Sequence, residues 1–229
     1  LITPDLIAKL DPLDLTSKRI FFGKLKGERR SKKRGESVEF ADHRPYATGD
    51  DIRHIDWNVF ARLDQIFMKL FLEEEDLSLQ LVIDCSASAD CGDPSKFLFM
   101  QKAVMALGYV GLVNLNRVGV TAMGEGPGGI VSALRDLRGR RRTHELATWI
   151  CSLSPGGNFS FREAAERLAL SRRGKGVMLV FSNFFFKEGF DEGLRRLAGH
   201  GYDVFAIQVL SPQEVDPTLL GDLRLRDTE

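Results

Sequence analysis

From Leu77 onward, short apolar runs alternate with helical stretches, and this pattern constrains the fold more than any other feature of the chain. Leu79-Gln80-Leu81-Val82-Ile83 and Val177 to Phe181 have the near-continuous apolar character of strands buried on both faces. Arg117 to Met123 and Val204 to Leu210 read as further strands. Gly124 to Gly129 reads as a turn, and Ile130-Val131 as a brief partner strand. Pro94 to about Leu115, Thr143 to Cys151, Phe161 to Leu170 and Asp191 to Ala198 carry helical spacing, with Pro94 at a first helical turn. Strands interleaved with helices predict an α/β, Rossmann-like domain over residues 77–229, its mainly parallel sheet flanked by helices.

Residues 1–76 read as an N-terminal extension of different character. Pro4 to Leu10 has a short helical pattern, and Lys24 to Arg34 is a basic run. Glu36 to Asp64 mixes both charge signs with turn residues and shows little periodicity. Gln65 to Leu72 alternates like a strand and is closed by Glu73-Glu74-Glu75-Asp76.

The formal net charge is +0, so attraction to nucleic acid or anionic lipid must be local. Sixteen phenylalanines against three tyrosines place most aromatic side chains in the core. Cys85, Cys91 and Cys151 are odd in number and form no C-x-x-C pair, which fits a reducing compartment. The most apolar stretch, Phe97 to Leu115, is interrupted by Gln101, Lys102 and Asn114. A span needs about 20 nearly uninterrupted apolar residues, so the stretch reads as a core helix. With no secretory signal before the first charges, the expected location is cytoplasmic, or peripheral to a membrane.

Ligands of such sheets gather at the carboxyl ends of the strands, where strand order reverses. There the first central strand ends in Asp84-Cys85-Ser86-Ala87-Ser88, a D-x-S-x-S turn with one carboxylate and two hydroxyls. Small oxygen ligands of this kind suit magnesium. The same groups can also satisfy backbone donors and cap the next helix. The motif resembles the metal-ion-dependent adhesion site of von Willebrand factor A domains. That resemblance implies a Thr from a later loop and an Asp after a later strand, where this chain has Asn158 and Asn183. The implied site, Asp84, Ser86, Ser88, Asn158 and Asn183, is therefore degenerate. A cation would face Asp84 alone unless Asp90 or Asp93 joined it.

A second constellation lies upstream. Glu39-Phe40, Arg44, Tyr46, Gly49-Asp50-Asp51, Arg53, Ile55-Asp56-Trp57 and Ala61-Arg62 closely match the signature of the DUF58 family, which places it just before a von Willebrand A-like domain. Asp50 or Asp51 is expected to cap a helical turn, with Gly49 supplying backbone freedom. Arg44, Arg53 and Arg62 are suited to bidentate pairing with Asp42, Asp51, Asp56 or Asp64. Trp57 and Tyr46 are apolar anchors beside those pairs. Two readings stay open: an ion-pair latch holding the segment, and a surface that docks a partner.

Catalysis is not expected. His43 and His54 read as turn or surface residues, and Cys85 as a buried thiol. Gly124-Glu125-Gly126-Pro127-Gly128-Gly129 satisfies G-x-G-x-x-G but precedes a strand where a dinucleotide site needs a helix. Asp84-Cys85-Ser86 lacks the second acid of haloacid-dehalogenase phosphatases. The family resemblance implies an adaptor or co-chaperone of a MoxR-type AAA+ ATPase. The competing class is a nucleic-acid or membrane-surface binding module acting through Lys24 to Arg34.

Overall fold

The computed structural model describes residues 2–13, 40–71, 78–171, 176–199 and 201–217. The basic run 24–34 and the acidic run 73–76 lie outside them. The chain divides into two compact units, Leu1–Arg19 with Asp76–Glu229, and Ile20–Glu75. The first helix, α1 (Pro4–Leu10), belongs to the larger unit. Just beyond it, the Tyr109 hydroxyl donates to Asp11 at 2.6 Å, and Asn114 Nδ2 donates to the Leu13 carbonyl at 2.8 Å.

The smaller unit is an antiparallel pair, β1 (Phe40–Pro45) and β2 (Phe67–Phe71), joined through a one-turn 3-10 helix at Ile52–His54 and helix α2 (Trp57–Leu63). The helix starts where Asp56 accepts hydrogen bonds from the backbone N–H groups of Asn58 and Val59 at 3.0 and 3.3 Å. Such a cap satisfies donors that a helix cannot pair internally. The region expected to lack periodicity therefore holds a strand and a helix. The helix escapes pattern reading because Trp57 and Leu63 are largely exposed instead of forming a buried stripe.

The larger unit is built on β3 (Ser78–Asp84), β4 (Arg117–Met123), β5 (Ile130–Leu137), β6 (Gly176–Ser182) and β7 (Tyr202–Gln208), ordered β5-β4-β3-β6-β7. All neighbours are parallel except β5, which runs antiparallel at one edge. The expected mainly parallel α/β sheet is what forms. β5 is longer than the predicted partner strand. As an edge strand carrying Ser132, Arg135 and Asp136, it need not be apolar on both faces.

Leu79, Leu81 and Ile83 face one side of the sheet with Val118, Val120, Val177 and Phe181. That side is covered by α3 (Lys96–Val113) and α4 (Thr143–Cys151). Val82, Met178 and Val180 face the other side, under α5 (Phe161–Ser171) and α6 (Asp191–Ala198). By length and composition α3 could cross a membrane, yet 61% of it is buried inside the protein. It approaches the sheet closely because Gly111 has no side chain: a Cβ there would stand 2.8 Å from Leu79 and Val118. Its cap is Ser95, whose side chain accepts from Leu98 N–H, so Pro94 precedes the helix instead of opening it.

Strand order reverses between β3 and β6: the connection leaving β3 runs to β4, and that leaving β6 runs to β7 on the opposite side. The carboxyl ends of these two neighbours are the chain's switch point, the position where such sheets expose a crevice.

Candidate functional site

At that switch point Asp84 ends β3 and Ser182 ends β6. Both are almost fully buried, as are Ser86 and Asn183. Burial obliges each polar atom to find a partner, since an unpaired one costs about 1–3 kcal/mol. The partners come from the site itself. Asp84 Oδ1 accepts from Ser86 N–H at 2.8 Å, and Oδ2 accepts from the Ser182 hydroxyl in a short bond. Ser182 Oγ also accepts from Phe184 N–H at 2.9 Å. The Ser86 and Ser88 hydroxyls share a hydrogen bond at 3.0 Å, and Asn183 Nδ2 donates to Ser88 Oγ at 2.9 Å. Asn183 Oδ1 accepts from Phe185 N–H at 3.1 Å.

The structure thus brings together Asp84, Ser86, Ser88 and Asn183, and adds to the expected site Ser182, the residue before Asn183. Among the described residues, no hydrogen bond joins the Asn158 side chain to them. Its loop is tied to the Asp84 turn by backbone bonds, Gly156 N–H to the Cys85 carbonyl at 2.9 Å and Ala87 N–H to the Gly157 carbonyl at 3.0 Å. Gly157 is required there: its φ is +68°, and a Cβ would collide with Glu125. Asn158 lines a neighbouring open recess of ≈ 420 Å³ with Phe159, Phe186 and Lys187. Asp90 and Asp93 are exposed, and the hydrogen bonds described for Asp93 run from its backbone to Gln213.

This donor set does not fit a hard divalent cation, which seeks several anionic or carbonyl oxygens. Asp84 supplies a single carboxylate, with a donor already on each oxygen. Asn183 turns its NH2 group toward Ser88. The reverse orientation would set NH2 against Phe185 N–H, donor to donor, and Oδ1 toward the Ser88 carbonyl, acceptor to acceptor. Among the described residues no three His, Cys, Asp or Glu side chains converge on a common point.

An aromatic cluster follows directly from this polar centre, whose Ser182 and Asn183 accept from the Phe184 and Phe185 N–H groups. Phe161 stacks on Phe186 at 4.8 Å, and Phe184 meets Phe190 edge-on at 5.4 Å. Phe185 is 53% exposed and Phe190 39%. Across the same end, Leu98 and Phe99 in the first turn of α3 are also exposed. In the sequence, the run Phe184-Phe185-Phe186 just after β6 marks this cluster.

Two neighbours complete the rim. Cys85 is buried, and burial followed by the adjacent Asp84 charge pushes its thiol up to about 12, so it stays protonated at neutral pH. Lys96, with almost no exposed side-chain surface, is held by Glu214 at 2.6 Å. Glu214 also accepts from Ser211 N–H and Oγ. Partial burial favours protonation of Glu214, but Lys96 and Ser211 outweigh it and hold the carboxyl below its usual range.

In the smaller unit, the upstream signature residues form local pairs. Arg44 binds Asp50 at 2.6 Å, and the other Asp50 oxygen accepts from Ala47 N–H. Arg53 grips Asp51, which caps the 3-10 turn as expected, and Gly49 takes a φ of +104° beside them. Asp56 departs from the expected arginine pairing: its Oδ2 meets His43 Nε2 at 2.9 Å and Lys69 at 3.5 Å. His43 and Lys69 are register partners on β1 and β2, so one carboxylate joins both strands to the start of α2. His43 is thus a strand residue with a structural bond, not a turn residue. The His43 bond leads the effects that lower the Asp56 carboxyl to about 2. Among the described residues Arg62 makes no ion pair, and Tyr46 is tied by its backbone to Ile66. Trp57 is 62% exposed and meets Phe60 edge-on at 6.1 Å.

Residues 42–229 match the family described as "Protein of unknown function DUF58". The chain belongs to the DUF58 family. Uncharacterized protein Rv1480 of Mycobacterium tuberculosis is 29% identical to this DUF58 chain over 231 residues, covering 99% of it and 72% of the relative. Among solved structures, the conserved hypothetical protein BatB from Bacteroides thetaiotaomicron aligns with 58% of the chain and 66% of its own length, at 16% identity and a TM-score of 0.45. A von Willebrand factor type A structure from Catenulispora acidiphila aligns with 61% of the chain and 34% of its own length, at 13% identity and a TM-score of 0.44.

Proposed function

We propose that this DUF58 chain is a non-catalytic protein-interaction module whose partner docks on the carboxyl-end rim of the sheet, without a cation. One observation carries the reading: a polar centre closed by its own hydrogen bonds lies at the same end of the sheet as the exposed Leu98, Phe99, Phe185 and Phe190. Aromatic side chains around a pre-ordered centre supply binding surface at little entropic cost. The polar centre ties the turn after β3 to the segment after β6 that carries Phe185. Nothing in the centre supports turnover: Asp84 has a donor on each oxygen, and Cys85 is protonated.

The partner we propose is a MoxR-type AAA+ ATPase, as the family resemblance implies, with the ATPase supplying hydrolysis and this chain supplying recognition in the cytoplasm. The experiment is retention of the cognate AAA+ protein by the immobilised chain. Phe185→Ala and Phe99→Ala are each expected to weaken retention roughly tenfold or more, as for interface hot spots. Ser86→Ala with Ser88→Ala is expected to weaken it by loosening the loop. No retention by the unaltered chain, or equal retention by all variants, overturns the proposal.

A further inference from the structure

The opposite end of the same strands carries a different chemistry. β3 and β4 begin side by side at Ser78 and Arg117, and β5 returns to that end at Leu137, paired with Val118. The chain then reads Arg138-Gly139-Arg140-Arg141-Arg142, with Arg135 just before. All five of these arginines are exposed, and Arg117 is 54% exposed beside them. Among the described residues, Asp136 answers Arg117 at 3.9 Å, Asp11 answers Arg140 at 3.4 Å and Glu145 answers Arg142 at 2.9 Å, and Arg138 also has an interaction partner. Exposed pairs of this kind hold weakly and yield to a competing anion.

Two half-exposed leucines sit among these arginines. Leu13 is 51% exposed and Leu115 49%. Leu13 is fixed there because its carbonyl accepts from Asn114 Nδ2. The arginine turn lies against Leu115, since a Cβ on Gly139 would stand 4.0 Å from its Cδ2. Tyr109 at this corner is buried beneath the Arg140 guanidinium, so its ring offers no face for a base to stack on.

From this surface we infer that the amino end of the sheet docks on an anionic phospholipid membrane. The arginines engage lipid phosphates, and Leu13 and Leu115 enter the interface. Because the whole chain is formally neutral, the attraction of this end is local, and it turns the opposite rim of the sheet away from the lipid. The site differs from the basic run 24–34 and does not depend on the rim reading.

The test is co-sedimentation of the full 229-residue chain with phosphatidylcholine vesicles, with and without phosphatidylglycerol, over a salt series. Retention is expected only with phosphatidylglycerol and falls steeply as salt rises. Arg138→Gln with Arg141→Gln is expected to reduce partitioning about 25-fold, about fivefold per arginine. Arg135→Gln alone, at an exposed strand position, reduces it about fivefold if the double variant does not fold. Leu115→Ser weakens binding without changing the salt slope. The inference is overturned by equal retention on phosphatidylcholine alone, or by no retention of the folded chain at low salt. It is also overturned by full retention of the arginine variants, by loss only on neutralising residues 24–34, or by binding to DNA or an acidic protein without binding vesicles.

Discussion

The two ends of the sheet show how one set of strands yields surfaces of opposite kind. At the carboxyl end Asp84, Ser182 and Asn183 are buried, so each polar atom had to be matched, and the matches lock two loops together. At the amino end the arginines are in water, where an imperfect match costs little and the charge stays available. Burial turns polar groups into structure, whereas exposure leaves them for partners. On the buried rim, the proposed recognition therefore falls to the exposed phenylalanines at that end.

The contrast can be broken in graded steps. Its largest expected effect is chemical. Cys85 is expected to react with a maleimide on the order of a thousandfold more slowly than an ordinary thiol, with labelling of Cys91 and Cys151, both exposed, as internal controls. Peptide mass spectrometry of the native chain reads this directly. Comparable labelling of Cys85 would mean that the rim opens.

Glu214→Ala should be the most destabilising of the simple substitutions, by about 3–5 kcal/mol, because it leaves Lys96 buried without a counter-charge. Thermal unfolding measures it, and Lys96→Met in the same background should recover part of the loss. Asp84→Ala removes the acceptor for Ser86 N–H and the Ser182 hydroxyl and is expected to cost about 3 kcal/mol.

Asn183→Asp probes the metal question. It replaces a donor facing Ser88 with a second carboxylate near Asp84, so the variant should be less stable than the parent in chelator and recover on adding magnesium. The parent's unfolding midpoint should not move with magnesium. A magnesium-dependent midpoint in the unaltered chain would show that the donor set was misread. At the other end, Arg138→Gln with Arg141→Gln should change stability by less than about 0.5 kcal/mol, the usual range for exposed substitutions. A larger loss would place those arginines in the architecture.

Much of the larger unit was legible in advance. Leu79 to Ile83 and Val177 to Phe181 announced themselves because strands covered on both faces must be apolar throughout. β5 was read too short because its edge position relaxes that demand, and α2 was missed because its apolar residues face outward. In the rim, the D-x-S-x-S turn and Asn183 were visible as a motif. The direction of the Asn183 amide was not, since it depends on Phe185 N–H and Ser88 Oγ, groups that meet only after β6 lies beside β3.

By itself the sequence determined the period of each buried segment, hence an α/β sheet, together with the D-x-S-x-S turn at Asp84 and the DUF58 signature upstream. Tertiary structure alone decided the partners. Lys96 found Glu214 across the fold, and His43 found Asp56 across a hairpin. Local patterns record which side chains leave water, because burial acts on each residue separately. A hydrogen bond or ion pair needs two groups at about 3 Å, and only the folded backbone brings distant residues that close.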